Sequence, residues 1–175
     1  MFVFVYGYIY TGTYNFIEPP VGYNELVASD INNVGDVVGS FYIRNSANGY
    51  AFLLRNGVFT NIGVLPGTTF CFPHAINDAG TIVGSSQSPG GPIAFLYDGA
   101  LHELDDLTIN LPSGVHLSVA EAINESGYIV GRFADENSDS HAFLLRPVGV
   151  PEPSIALLLL GSGWMWFRAR RRSAS

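Results

Sequence analysis

Ile31-Asn32-Asn33-Val34-Gly35-Asp36-Val37-Val38-Gly39 recurs without gaps as Ile76-Asn77-Asp78-Ala79-Gly80-Thr81-Ile82-Val83-Gly84 and as Ile123-Asn124-Glu125-Ser126-Gly127-Tyr128-Ile129-Val130-Gly131. The copies are offset by 45 and 47 residues. A fixed period of this size marks a repeat architecture, and that decides the fold. Asn-x-x-Gly predicts a tight hairpin loop. The Asn (Asn32, Asn77, Asn124) bonds its own turn backbone, and the Gly (Gly35, Gly80, Gly127) takes a positive φ. Val-Val or Ile-Val opens the return strand. The closing Gly39, Gly84 and Gly131 predict a bulge or a close backbone approach.

A second motif follows each copy: Ala51-Phe52-Leu53-Leu54, Ala94-Phe95-Leu96-Tyr97 and Ala142-Phe143-Leu144-Leu145. Asn56-Gly57 and Asp98-Gly99 predict type I′ hairpin turns, each leading into one more short strand. Pro66-Gly67 ends one unit. Gly7-Tyr8-Ile9-Tyr10 is a degenerate copy of the second motif, and Gly12-Thr13-Tyr14-Asn15-Phe16-Ile17 parallels Gly57-Val58-Phe59-Thr60-Asn61-Ile62. Each full unit therefore supplies about four short antiparallel strands, the size of a propeller blade. The expected fold class is all-β, a propeller-like array of four-stranded antiparallel repeats. Its expected extents are a half unit at about 7–22, full units at about 26–68 and 72–107, and a last unit at about 118–147 without its fourth strand. That is about 3 blades, where closed propellers have 4 to 8, so the chain is expected to be truncated. A compact sandwich or barrel-like closure of the same hairpins is the alternative.

Residues 7–147 resemble the extracellular HAF-repeat family, named for a His-Ala-Phe motif. His141-Ala142-Phe143 matches that motif in full, whereas Ala51-Phe52 and Ala94-Phe95 lack the His. The resemblance implies a secreted or surface-associated protein and brings no assigned activity.

Composition agrees with the β reading. The chain of 175 residues has 20 Gly, 12 Phe and 9 Tyr, and Gly-rich turns joining aromatic and β-branched runs favour sheets. It has no lysine. Residues 1–147 carry 4 Arg against 14 acidic residues, a net of −10, while residues 148–175 carry 4 Arg against Glu152, a net of +3. A body this acidic repels phosphate backbones, which argues against nucleic acid as a partner. Cys71, the one cysteine, rules out an intrachain disulfide and reads as a small buried hydrophobe.

The basic end is a separate device. Val150-Pro151-Glu152-Pro153-Ser154 precedes an uncharged apolar run from Ile155 to Phe167, then Arg168-Ala169-Arg170-Arg171-Arg172. The run is short for a span, but Trp164, Trp166 and Phe167 favour the interface, and arginines snorkel and stay cytoplasmic. The two prolines hold the preceding segment extended. Val150 to Arg172 resembles the PEP-CTERM sorting signal of Gram-negative bacteria. That resemblance implies recognition and cleavage by an exosortase-type enzyme at Pro151, Glu152 and Pro153. Arg168, Arg170, Arg171 and Arg172 would supply the stop-transfer charge. The expected organisation is a repeat domain over 1–147, a linker over 148–153, a transmembrane helix over 154–167 and a cytoplasmic tail over 168–175. It implies transient contact with the inner membrane, a body at the cell surface or in the matrix, and exopolysaccharide or a surface protein as the ligand class. An N-terminal signal peptide is not legible, since no basic residue precedes Arg44.

Candidate chemistry is sparse. Asp135-Glu136-Asn137-Ser138-Asp139 alternates oxygen ligands like the start of a calcium loop. It has Ser140 and Arg146 where Gly and Glu belong, and reads as a solvated hairpin loop. His74, His102, His116 and His141 lack zinc spacing and read as packing or turn residues, with His74 and His141 beside strand starts. Asp105-Asp106 would point to opposite faces of a strand. No nucleophile has a matched base. The expectation is therefore a non-catalytic protein with no cofactor and no metal. The rivals are a propeller-type hydrolase or lyase, which would need Asp135, Asp139 and His141 around one pocket, and a non-functional fragment of a longer repeat protein.

Overall fold

The computed structural model describes residues 7–10, 12–135 and 139–148. These residues are mostly β. A hairpin, β1 (Gly7–Tyr10) and β2 (Tyr14–Ile17), comes first. The first meander is β3 (Glu25–Ile31), β4 (Val37–Tyr42), β5 (Gly49–Arg55) and β6 (Val58–Gly63). The second is β7 (Phe70–Ile76), β8 (Ile82–Ser88), β9 (Gly91–Tyr97) and β10 (Leu101–Glu103), closed by one helical turn, α1 (Leu104–Leu107). The third is β11 (His116–Ile123), β12 (Ile129–Ala134) and β13 (Ser140–Leu145). Neighbouring strands within each meander pair antiparallel. A single parallel bridge, Gly49 to Phe70, joins the edge of β5 to β7.

The turn chemistry explains the meanders. Gly35, Gly80 and Gly127 have φ of 89°, 84° and 77°, and each amide donates to the carbonyl of the Asn three residues earlier. The Asn side-chain oxygen accepts the amide four residues on, from Asp36, Thr81 and Tyr128 respectively. The return strand then meets a register shift in the strand before it, between Ala28 and Asp30, between Pro73 and Ala75, and between Ala120 and Ala122. Gly39, Gly84 and Gly131 lie opposite these bulged strands. A Cβ at any of them would collide with the carbonyl oxygen of Val27, Phe72 or Val119 and with the ring of Phe52, Phe95 or Phe143. The aromatic of each third strand therefore lies over a glycine on the second, and this is why small and aromatic residues recur together.

The meanders stack face on face. β7 packs across β3, β4 and β5, and β11 packs across β7, β8 and β9. Between the first two meanders lie Val38, Ala51 and Leu53 against Cys71, Ile76 and Ile82, all buried. Val83 and Ala94 meet Leu117, Ala120 and Ile129 at the next joint. The hairpin side of the first meander forms a third core, where Ile17 joins Leu26, Val37, Phe41 and Phe52. Burying one such side chain stabilises by roughly 1.5–3 kcal/mol, so the joints hold most of the fold's apolar stabilisation.

Three local expectations are corrected. Asp105 and Asp106 stand in α1 rather than on a strand. Asp98-Gly99 is not a type I′ turn, because three residues separate the paired Tyr97 and Leu101 and only Gly99 has positive φ. Asn56-Gly57, with two residues between paired Arg55 and Val58, does have both φ positive, at 52° and 76°. His74 lies inside β7 at its register shift, not beside the strand start. The linker, the apolar run and the basic tail, with Pro151, Glu152, Pro153, Arg168, Arg170, Arg171 and Arg172, fall outside the described residues. Among the described residues no helix is long and apolar enough to cross a membrane.

Candidate functional site

The residues that recur in sequence also meet in space. The Asn32 side-chain amide donates to the carbonyl of Asn77 at 3.0 Å, and that of Asn77 donates to the carbonyl of Asn124 at 3.2 Å. One position further along, the backbone amide of Asn33 donates to the Asp78 carboxylate at 2.8 Å, and that of Asp78 to the Glu125 carboxylate at 2.9 Å. Each Asn thus closes its own turn and ties that turn to the next. The Asn32 and Asn77 side chains are buried, so breaking this ladder would strand polar groups away from water.

Further polar links cross the joints. The Ser40 hydroxyl donates to the Cys71 carbonyl at 2.7 Å, and Asp30 accepts the Ile76 amide at 2.9 Å. His74 Nδ1 lies 3.0 Å from the Ala120 carbonyl oxygen and 3.5 Å from Glu121, which in turn pairs with Arg132 at 3.2 Å. Arg55 pairs with buried Asp36 at 2.7 Å. The Arg55 guanidinium holds the Asp36 carboxyl below its ordinary range, against the opposing effect of burial. That guanidinium also lies against Gly80 of the second meander's turn. Within the first meander Arg44 pairs with buried Glu25. Burial pushes the Cys71 thiol up to about 12, so it is not a nucleophile near neutral pH.

Two clefts lie beside the third meander. One, of about 990 Å³, is largely apolar, with Leu104, Ile109, Ile129 and Leu144 in its wall and Tyr128 and Arg146 at its polar side. The other, of about 440 Å³, brings Glu103, Asp105, His116 and Asp135 to one rim. Two of its carboxylates, Asp105 and Asp135, are engaged. Asp105 accepts the Leu117 amide at 2.9 Å and lies 3.1 Å from His116, tying α1 to β11. Asp135 accepts the Asp139 amide at 2.9 Å and meets His141 at 3.0 Å. The Asp135 carboxylate thus bridges the two ends of the loop it starts, whose residues 136–138 lie outside the described residues. Asp139 and His141 do not line the cleft that Asp135 lines. Among the described residues no three His, Cys, Asp or Glu side chains converge as metal ligands, and no buried side-chain nitrogen or oxygen lacks a hydrogen-bond partner.

Sequence reasoning assigned each Asn to its own turn and missed its bond to the next one. The signal was present, since a polar side chain recurring at the repeat offset in a buried place has the same residue of the next unit as its neighbour. The bulge positions Ser29, His74 and Glu121, at the same offsets of 45 and 47 residues as the turns, carried no legible signal because their residue types differ. No family model, curated protein or solved structure matches the chain.

Proposed function

We propose that this chain is an exported, non-catalytic β-repeat protein of the cell surface or extracellular matrix, a propeller-like array sorted through its C-terminal tail. The tail enters a membrane with its arginines cytoplasmic, and an exosortase-type enzyme acts at Pro151-Glu152-Pro153. The repeat domain is the exported cargo and presents its loops to glycan or protein.

One observation carries the non-catalytic half of this reading. The polar residues that recur from unit to unit are consumed in holding the units together, through the Asn32–Asn77–Asn124 ladder and its Asp78 and Glu125 partners. An active site built on a repeat protein needs polar groups left over from stacking and aimed at one space. The sorting half rests on the order Val-Pro-Glu-Pro, apolar run and Arg cluster in residues 150–172.

The test is expression from the natural gene with its upstream region, cell fractionation, and intact mass of the product. A surface or medium product ending near Pro151 is expected. A full-length product confined to the cytoplasm would defeat the reading.

A further inference from the structure

We propose that the far face of the third meander takes a second copy of this chain, docked as each meander inside the chain docks on the one before it. The two joints within the molecule are the template. Val38, Ala51 and the Asn32 side chain of the first meander are covered by the second, and Val83, Ala94 and the Asn77 side chain of the second are covered by the third. The same places in the third meander are Val130, Ala142 and Asn124. Val130 is 43% exposed where Val38 and Val83 are at 0%, and Ala142 and Asn124 are exposed as well. Leu144, in the place of buried Leu53, is 60% exposed. This face is therefore already shaped for one kind of occupant, the leading strand and Asn turn of another unit.

The other end of the molecule offers that occupant. On the first meander, Ile31 and Val34 at the turn are 58% and 65% exposed, whereas Ile76 in the place of Ile31 is buried. Among the described residues of the hairpin, Ile17 of β2 packs on the part of this face around Val37 and Phe52. In the repeat, β1 stands for a third strand and β2 for a fourth. Among the described residues the third meander has its first three strands and no fourth. Docking places β13 where β1 of the second copy lies, so β13 takes over the pairing with β2 and the third meander gains a fourth strand. A two-stranded hairpin is marginal alone, which makes β1 the element that yields. The contact is head to tail. The described meanders of two copies number six, within the range of closed propellers.

The test uses the full chain in detergent. The internal pairs of Asn33 with Asp78 and Asp78 with Glu125 place Glu125 of one copy beside Asn33 of the next. Both residues are exposed, and native Cys71 is buried. Mixing Glu125→Cys with Asn33→Cys chains under mild oxidation should give a disulfide-linked pair at least about tenfold more abundantly than either variant alone. Leu144→Asp should weaken association by at least about tenfold and leave the melting temperature of the dissociated monomer unchanged. Association through the apolar tail would survive Leu144→Asp and show no pairing preference between the cysteine variants, and that result overturns the proposal. A monomer destabilised by Leu144→Asp would mean that the chain's own remaining residues cover the face, which overturns it too.

Discussion

Phe95 and Phe143 hold the same place in consecutive meanders, each with its ring over a glycine of the strand beside it. Phe95 is fully buried and Phe143 only half-buried. The residues are identical and their strands pair alike, and both rings face the preceding meander, so the difference lies in how completely each ring's own joint is closed. On the opposite face the third meander buries Val83 and Ala94 of the second, while among the described residues nothing covers Val130 and Ala142 of the third. A unit of this repeat owes its core to its neighbours, and nearest-neighbour joints rather than intrinsic propensity set local stability.

Paired substitutions at equivalent places sharpen that contrast. Phe95→Ala should cost about 3–5 kcal/mol in chemical denaturation, because the cavity is closed on all sides. Phe143→Ala should cost roughly half as much or less, since its site can collapse and is partly wet. Similar losses would remove the distinction between the meanders. Next in size, Asn77→Ala should cost about 2–3 kcal/mol, because it removes a buried side chain and leaves the part-buried Thr81 amide and Asn124 carbonyl without their protein partners. Asn124→Ala, in an exposed turn, should cost about 1 kcal/mol. A reversed order would break the ladder's role as a joint.

Val83→Thr and Val130→Thr give a smaller contrast. A hydroxyl replacing a fully buried methyl should cost about 1–3 kcal/mol at Val83, and the same change at the exposed Val130 should stay within about 0.5 kcal/mol. The smallest effect is acid dependence at the first joint. Asp36 has its folded pKa lowered, chiefly by Arg55. Its contribution is therefore present above the unfolded carboxylate pKa and is lost as pH falls below about 4 towards the folded value. Arg55 is half exposed, so that contribution should be no more than about 1 kcal/mol. Thr81 and Tyr128 hold the equivalent places, so Asp36→Asn should remove this part of the acid limb of the stability curve without a counterpart in the other meanders. An unchanged limb would show that the pair does not matter.

The strands were legible in the sequence because turn chemistry is local. Asn-x-x-Gly has one economical geometry, and it falls at Asn32, Asn77 and Asn124 alike. Stacking was legible as a need, from the repeat period. Its contacts were not, because which face of Val38 or Val83 meets the next unit depends on the bulges, and those are set by register rather than by residue type. α1 was missed for the opposite reason. Leu104-Asp105-Asp106-Leu107 is a local departure from the repeat, held by Asp105 reaching Leu117 in the next meander, and local pattern does not report a bond 12 residues away. Of the candidate site, the structural positions were readable from recurrence. The clefts beside the third meander were not, because their walls join residues of the second and third meanders that lie far apart in sequence.

The measurement closest to the central claim is native-state hydrogen exchange on the full chain, read at the amides of β8 and β12 over a dilution series. Both are middle strands of their meanders, paired on either side. At high dilution β8 should exchange only through global unfolding, while β12 opens at least about tenfold more readily. Equal protection of the two strands at every concentration would contradict the account, because the third meander would then hold its core without a neighbour on its far face.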